Sequence, residues 1–397
     1  MSKAQDLRLL SGIKHGREAF IGPRVIHIDL TNLCNNNCIG CWCRSPFLKD
    51  KEMPEWEKKI SLSFETIKGI IDDAITLGGL RQIKLVGGGE PFMHPHLLEI
   101  IKYIKNKDEK IEIDINTNFT LVDKRVAQEL IKLELDSLTV SIWAADAKTY
   151  CLTHPNKNEN TFYQIKDVLK WLSHSKNGKP YVKIYNVIFN LNYLGIEEMI
   201  EFALEVGAED IQFVPLDPIP QRTDSLLINE EQRRILLENL QKLNRSFNHF
   251  NYLYEQDGRQ ITITGFHDFM RRLRELDTNS GSYDREKVEK IPCYVGWLFA
   301  RIMTTGDVVP CCKGHRLHLG NVYKKSFSDI WNSEEYEQFR FNAKNLPKTH
   351  PYFSRIGNEA SSAIGCYNCD NLWQNEPMHR EILSLNLSEK FFLRWLI

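Results

Sequence analysis

Three cysteines stand in one short run, Cys34-Asn35-Asn36-Asn37-Cys38-Ile39-Gly40-Cys41, directly after an apolar stretch. The spacing is C-x3-C-x2-C, and no fourth ligand is built into it. Three thiolates hold three corners of a cubane iron–sulfur cluster and leave one iron open to a small molecule. A closed structural zinc site needs four protein ligands instead. The open corner gives the loop a catalytic character. A second cysteine group lies far along the chain, where Cys293, Gly306 and Cys311 form C-x12-G-x4-C and Cys366-x2-Cys369 follows. Four thiolates gathered from these segments close a complete cluster, or a four-thiolate zinc site.

Such loops need a scaffold that delivers them to one place. Between residues 23 and 217, short apolar runs alternate with helix-periodic stretches. Strands are expected at 25–29, 82–86, 111–116, 137–142, 181–188 and 210–214, with helices at 63–77, 95–105, 123–133, 161–173 and 195–206. Ser63 and Asp123 supply helix starts. This alternation implies parallel βαβ units. The expected fold is α/β, a partial (β/α)6 TIM-like barrel with its chemistry at the C-terminal strand ends. The unusual residues agree. The cysteine loop follows the first strand, Gly87-Gly88-Gly89-Glu90-Pro91 the second, and Asn116-Thr117-Asn118 the third. Ser141 lies late in the fourth, Asn186 and Asn190 flank the end of the fifth, and Pro215-Leu216-Asp217 follows the sixth. All would ring one mouth.

Around this core the expected organisation is an N-terminal extension (1–22), the barrel (23–217), a connecting helical region (218–290) with a charged helix over 230–249, a small cysteine-rich α+β module (291–380) and an apolar tail (381–397) docked on the protein or a second subunit. A formal net charge of −1 removes any global pull toward nucleic acid. The N-terminus lacks the pattern of a secretory signal, and no apolar run approaches the ~20 residues that span a bilayer. The expectation is therefore a cytoplasmic protein without a transmembrane segment. There its ten cysteines serve metal or redox chemistry rather than disulfides.

With the cysteine loop and Gly88-Gly89-Glu90-Pro91 on successive strand ends, residues 25–217 resemble the core of the radical S-adenosylmethionine superfamily. The resemblance implies that Cys34, Cys38 and Cys41 bind a 4Fe–4S cluster whose open iron chelates the amino and carboxylate groups of S-adenosylmethionine. Gly88 and Gly89 would let the backbone approach that amino group. Glu90 would offset its charge, or else be a solvated turn residue. Asn116 and Ser141 would bind ribose or carboxylate, or cap strand ends, and Asn186 is a weaker contact. The family carries an aromatic residue before the third cysteine; here Gly40 stands there. Trp42 then serves the adenine or packs in the core. The second cysteine group resembles the twitch module, a shortened SPASM domain, which implies one auxiliary 4Fe–4S cluster on Cys293, Cys311, Cys366 and Cys369, with 302–311 as a β-hairpin. Cys312 adjoins a ligand and competes with Cys311 for that role. Cys312 and Cys151 are the candidate hydrogen donors, or small buried hydrophobes, and Cys43 packs beside the first cluster.

The implied activity is reductive cleavage of S-adenosylmethionine to a 5′-deoxyadenosyl radical that abstracts hydrogen from substrate, with the electron supplied by flavodoxin or ferredoxin. The short segment before the first strand leaves no room for a winged peptide-recognition domain. The expected substrate is accordingly a polar small molecule, a sugar or aminocyclitol undergoing dehydrogenation or epimerisation. A maturase of ribosomally made peptides is the alternative, and a non-enzymatic zinc or iron–sulfur binding module a third reading.

Overall fold

A computed structural model describes residues 3–49, 52–245, 253–256, 258–357 and 365–385. Six parallel strands form its centre: β1 (Val25–Asp29), β2 (Gln82–Val86), β3 (Glu112–Thr117), β4 (Ser137–Ser141), β5 (Tyr181–Ile188) and β6 (Asp210–Pro215). The strands alternate, and one face is aliphatic: Ile26, Ile28, Ile83, Leu85, Ile113, Ile115, Leu138 and Val140 are all buried, while His27, Lys84, Asp114 and Thr139 take the opposite face. The crossover helices start as their sequences predict. Ser63 Oγ accepts from Thr66 N at 3.1 Å ahead of the helix Phe64–Leu77, and Asp123 accepts from Val126 N at 2.7 Å ahead of Lys124–Lys132. The first of these helices buries Ile67, Ile70, Ile71 and Ala74 on one stripe. Each isoleucine so buried contributes about 1.5–3 kcal/mol.

The fold is the expected α/β partial barrel, and the sheet extends past both of its edges. Its order is β11-β10-β9-β1-β2-β3-β4-β5-β6-β8-β7. The stretch expected to be a connecting helical region supplies a hairpin, β7 (Leu253–Gln256) and β8 (Arg259–Thr264), with β8 parallel to β6. Only Ile261 and Ile263 of β8 face the core, too few for a strand signal in sequence. The same stretch holds the charged helix, which runs from Glu230 to Asn244; residues 246–249 of the expected helix lie outside the described residues.

On the other edge, β9 (Phe299–Ile302) runs parallel to β1, and β10 (Asp307–Val309) and β11 (Gly320–Asn321) follow antiparallel. The cysteine-rich stretch thus continues the core sheet. A helix, Lys3–His15, occupies the N-terminal extension, and another, Ala147–Thr153, precedes Glu159–Ser175. The last helix among the described residues is Leu372–Ser384; most of the apolar tail, 386–397, lies outside them.

Candidate active site

Strand ends β1 to β6 and the cysteine-rich segment enclose a cavity of about 400 Å³. Cys34, Cys38 and Cys41 line it, as do Trp42, Gly88, Gly89, Glu90, Asn116, Ser141 and Cys312. Burial pushes the Cys34 thiol up to about 11 and Cys38 well above its ordinary value, while the hydrogen bond with the Cys43 thiol, 3.7 Å away, draws Cys41 down to about 7. Crowded, buried thiols of this kind become thiolates when a cationic centre stands among them. Among the described residues no three His, Cys, Asp or Glu side chains converge at the distance of a single ion. The three thiols share one cavity wall, a donor set fitting a larger, iron–sulfur centre.

The glycine run is pressed against the cysteine loop. A Cβ on Gly87 would meet Thr31 O at 2.5 Å, one on Gly88 would meet Asn32 Oδ1 at 2.5 Å, and one on Gly89 would meet Leu33 O at 2.0 Å. Glu90 N donates to Leu33 O at 2.7 Å and Cys43 Sγ to Gly88 O at 3.2 Å. The glycines therefore answer to the backbone entering the cysteine loop. Glu90 is not a solvated turn residue: it is 2% exposed. Its carboxylate accepts from Thr117 Oγ1 at 2.6 Å, Asn118 N at 2.7 Å and Phe92 N at 3.2 Å, tying the β2 end to the β3 end. Burial raises it to about 7 against those bonds. The side chain thus ties two strand ends together while still lining the cavity. Pro91 opens the short helix Pro91–Met93 and does not line the cavity.

Asn116 Oδ1 is buried without a partner, on the cavity wall. An orphaned acceptor beside the cysteine loop fits a ligand carrying ammonium or hydroxyl donors, as S-adenosylmethionine does. Asn186 does not reach this space. Alternation along β5 turns Tyr185 and Val187 into the cavity and Asn186 away from it. Asn186 Oδ1 instead accepts from Trp143 N at 2.9 Å, holding that residue at a φ of 61°, from which Trp143 lines the cavity. Asn190 likewise serves a loop, through Ser225 O at 2.8 Å. Cys151 sits on the helix Ala147–Thr153 and lines neither this cavity nor the one beside it.

The far wall comes from segments without an obvious signal in sequence. Arg301 on β9 forms a buried paired contact with Asp29 on β1, Nε to Oδ1 at 3.0 Å and Nη2 to Oδ2 at 2.8 Å. Its Nη1 donates to Cys312 O at 2.8 Å, and its guanidinium lies 5.8 Å from the Trp42 ring centre. One side chain thereby links the barrel, the loop after the cysteines and the C-terminal segment. Lys313 is salt-bridged to Asp217 and lies 3.7 Å from Asp370. Arg272 is held by Asp284 at 3.1 and 3.0 Å. Only the adjacency of Lys313 and Asp370 to cysteines could have drawn notice to them. A second cavity, about 590 Å³, shares Trp42 and His315 with the first and opens between residues 43–57, 219–222 and 303–318.

The other four cysteines lie apart from that cavity. Cys293, Cys311, Cys366 and Cys369 are each raised chiefly by burial, and Cys293 and Cys366 act by charge on both Cys311 and Cys369. They form one buried thiol group, suited to a fully ligated cluster.

Comparison with known proteins accords with this geometry. Residues 28–203 match the radical SAM superfamily and residues 293–354 an iron–sulfur cluster-binding domain, SPASM. The chain is 24% identical to the tungsten-containing aldehyde ferredoxin oxidoreductase cofactor-modifying protein of Pyrococcus furiosus, over 81% of this chain and 84% of that protein. It is 27% identical to the AdoMet-dependent heme synthase of Methanosarcina barkeri, over 80% and 85% respectively. Among solved structures it is similar to Streptococcus suis SuiB bound to the precursor peptide SuiA, with a TM-score of 0.60, 16% identity, and coverage of 88% of this chain and 72% of that one. The cofactors are a 4Fe–4S cluster that binds S-adenosylmethionine and an auxiliary 4Fe–4S cluster. This chain belongs to the radical SAM superfamily and carries a C-terminal SPASM-type iron–sulfur domain.

Proposed function

We propose that this radical SAM enzyme modifies a peptide or peptide-like chain, which enters through the outer cavity and reaches the cysteine loop past Trp42 and His315. The adjoining cavities carry this reading. A ligand pocket of about 300–1,000 Å³ suffices for a small molecule, and here an inner space of about 400 Å³ lies beside an outer one of about 590 Å³, with Trp42 and His315 lining both. The outer walls are partly apolar, from Met53, Pro54 and Trp56 on one side and Ile219, Pro220 and Met303 on another. A sugar or aminocyclitol would leave that space without a role. The fold shared with a peptide-bound enzyme supports the same choice over a sugar-like substrate.

In this reading Cys34, Cys38 and Cys41 hold the first cluster, with Gly88, Gly89, Asn116 and Ser141 around S-adenosylmethionine and Trp42 between it and the outer cavity. Cys293, Cys311, Cys366 and Cys369 hold the auxiliary cluster. Bound beside those residues, S-adenosylmethionine would supply radical hydrogen-abstraction chemistry, with the electron coming from flavodoxin or ferredoxin. The protein's part is to exclude water and aim the substrate. Cys312, on the cavity wall and 3.8 Å from His27 Nδ1, is the thiol placed to donate hydrogen if the outcome is epimerisation.

The test is deuterium transfer under anaerobic conditions with dithionite. A uniformly deuterated peptide digest should label 5′-deoxyadenosine, and a deuterated sugar mixture should not. Label from the sugars alone would overturn the peptide reading. Cys312→Ala should block solvent hydrogen uptake into product while Cys151→Ala leaves it intact.

A further inference from the structure

Lys348 is a charged side chain buried beside the second thiol group, and nothing described so far uses it. It is 8% exposed. Its ammonium donates to Ala343 O at 2.6 Å and Leu346 O at 3.4 Å, and it lies 4.9 Å from the Phe353 ring centre. Among the described residues no carboxylate lies within salt-bridge reach of it. A buried ammonium is strongly disfavoured without an anionic partner.

The same carbonyl shows where that partner belongs. Ala343 O accepts from Cys293 N at 3.2 Å as well as from Lys348. Cation and cysteine are thus two donors on one oxygen. Lys348 also pulls the Cys293 and Cys366 thiols down by its charge, against their burial. A lysine can cap a helix C-terminus, and this one does meet the end of Glu334–Asn345. Capping lysines ordinarily work from solvent, where water carries the charge. Here the four-thiolate set, anionic when loaded, is the counter-charge on hand.

We propose that Lys348 is the internal counter-ion of the auxiliary cluster, holding its reduction potential up by favouring the more negative, reduced state. Net charge near a cluster is one of the terms that set its potential. The proposal rests on assigning Cys293, Cys311, Cys366 and Cys369 to that cluster.

Redox titration of the reconstituted holoenzyme, followed by electron paramagnetic resonance, tests it. Added S-adenosylmethionine alters the first cluster's signal and identifies the auxiliary one by its indifference. Lys348→Met should lower the reduced-to-oxidised ratio of the auxiliary cluster at least tenfold at the wild-type midpoint, a shift of about 59 mV for a one-electron couple. Lys348→Gln, which keeps a donor to Ala343 O, should fall as far, and Lys348→Arg should stay within about threefold of wild type. Neutral variants that match wild type, or an arginine variant that shifts as much as they do, overturn the proposal. Should both neutral variants lose the auxiliary cluster, the apo-protein decides. Unchanged unfolding in urea supports a requirement for charge, and lost stability assigns Lys348 to packing and overturns it. Failure of the ligand assignment reads differently: alanine at the four cysteines then leaves iron content unchanged.

Discussion

Asp29→Asn should destabilise the protein by about 3–5 kcal/mol, the usual effect of removing one partner from a buried ion pair. Asp29 is 2% exposed and Arg301 9%, and two near-parallel bonds of 3.0 and 2.8 Å join them. Asparagine keeps an acceptor and removes the charge, so the guanidinium is left uncompensated. It cannot swing out to water, because Cys312 O and the Trp42 ring hold its other side. The loss should therefore exceed the ~0–1 kcal/mol of an exposed pair. Replacing both members, Asp29→Leu with Arg301→Met, removes the stranded charge and should restore more than half of the lost stability, since packed apolar residues often substitute for buried pairs at little cost. The double-mutant cycle then isolates the coupling between them. Urea unfolding of reduced apo-protein, followed by tryptophan fluorescence and circular dichroism together, supplies the numbers and checks cooperativity. A loss below about 1 kcal/mol for Asp29→Asn would refute the reasoning, since the pair would then behave as a solvated one.

Alanine at Cys34, Cys38 and Cys41 together should cut bound iron from about eight to about four per chain and abolish 5′-deoxyadenosine formation; iron analysis showing no loss would remove the loop from the ligand set. Gly89→Ala places a methyl 2.0 Å from Leu33 O. Overpacking of about 1–3 kcal/mol should weaken S-adenosylmethionine binding about ten- to hundredfold by calorimetry, and an unchanged isotherm would contradict the contact. His154 is buried, stacks 4.3 Å from the Tyr150 ring, and is held down to about 4 chiefly by desolvation. Its folded value is depressed, so its stabilising effect is full above the unfolded value near 6.5 and is lost as pH falls toward 4. Between pH 7.5 and 5 the loss should be about 2 kcal/mol. His154→Gln should flatten that part of the urea-midpoint profile, and an equal slope in both proteins would exclude His154 as its source.

Much of the scaffold was legible because the barrel strands set aliphatic residues at every second position between polar or glycine-rich turns. That signal is local and survives in β1 to β6. It fails for β8, where two core isoleucines are all that the burial requires, and for β9, whose four residues carry no mark of pairing with β1. At the site, the cysteines and glycines could be read because their spacing is short. Their physical reasons could not. The glycines pack on residues 31–33 rather than on open space, and Glu90 is buried under three donors. The facing of Asn186 depended on strand phase, which only the position of Trp143 makes plain. Arg301 and Asp29 stand 272 positions apart, beyond any local pattern.

These distant pairings bear on how the enzyme selects what it modifies. The barrel supplies the cysteine loop, the glycine turn and the Asn116 and Ser141 positions, one side of the inner cavity. Arg301, Cys312, Lys313, His315 and Asp370 come from the C-terminal segment and complete the other side. His315 and Trp42, one from each part, have ring centres 5.5 Å apart and border both cavities. Because β9 is hydrogen-bonded into the sheet and Arg301 is pinned by Asp29, the two sides cannot drift independently. In the proposed peptide reading, a substrate carbon that passes Trp42 meets a space whose width is set by the core sheet itself. In that reading selection falls to the outer cavity, whose walls are mostly loops and whose residue types a chain can change without disturbing the chemistry within.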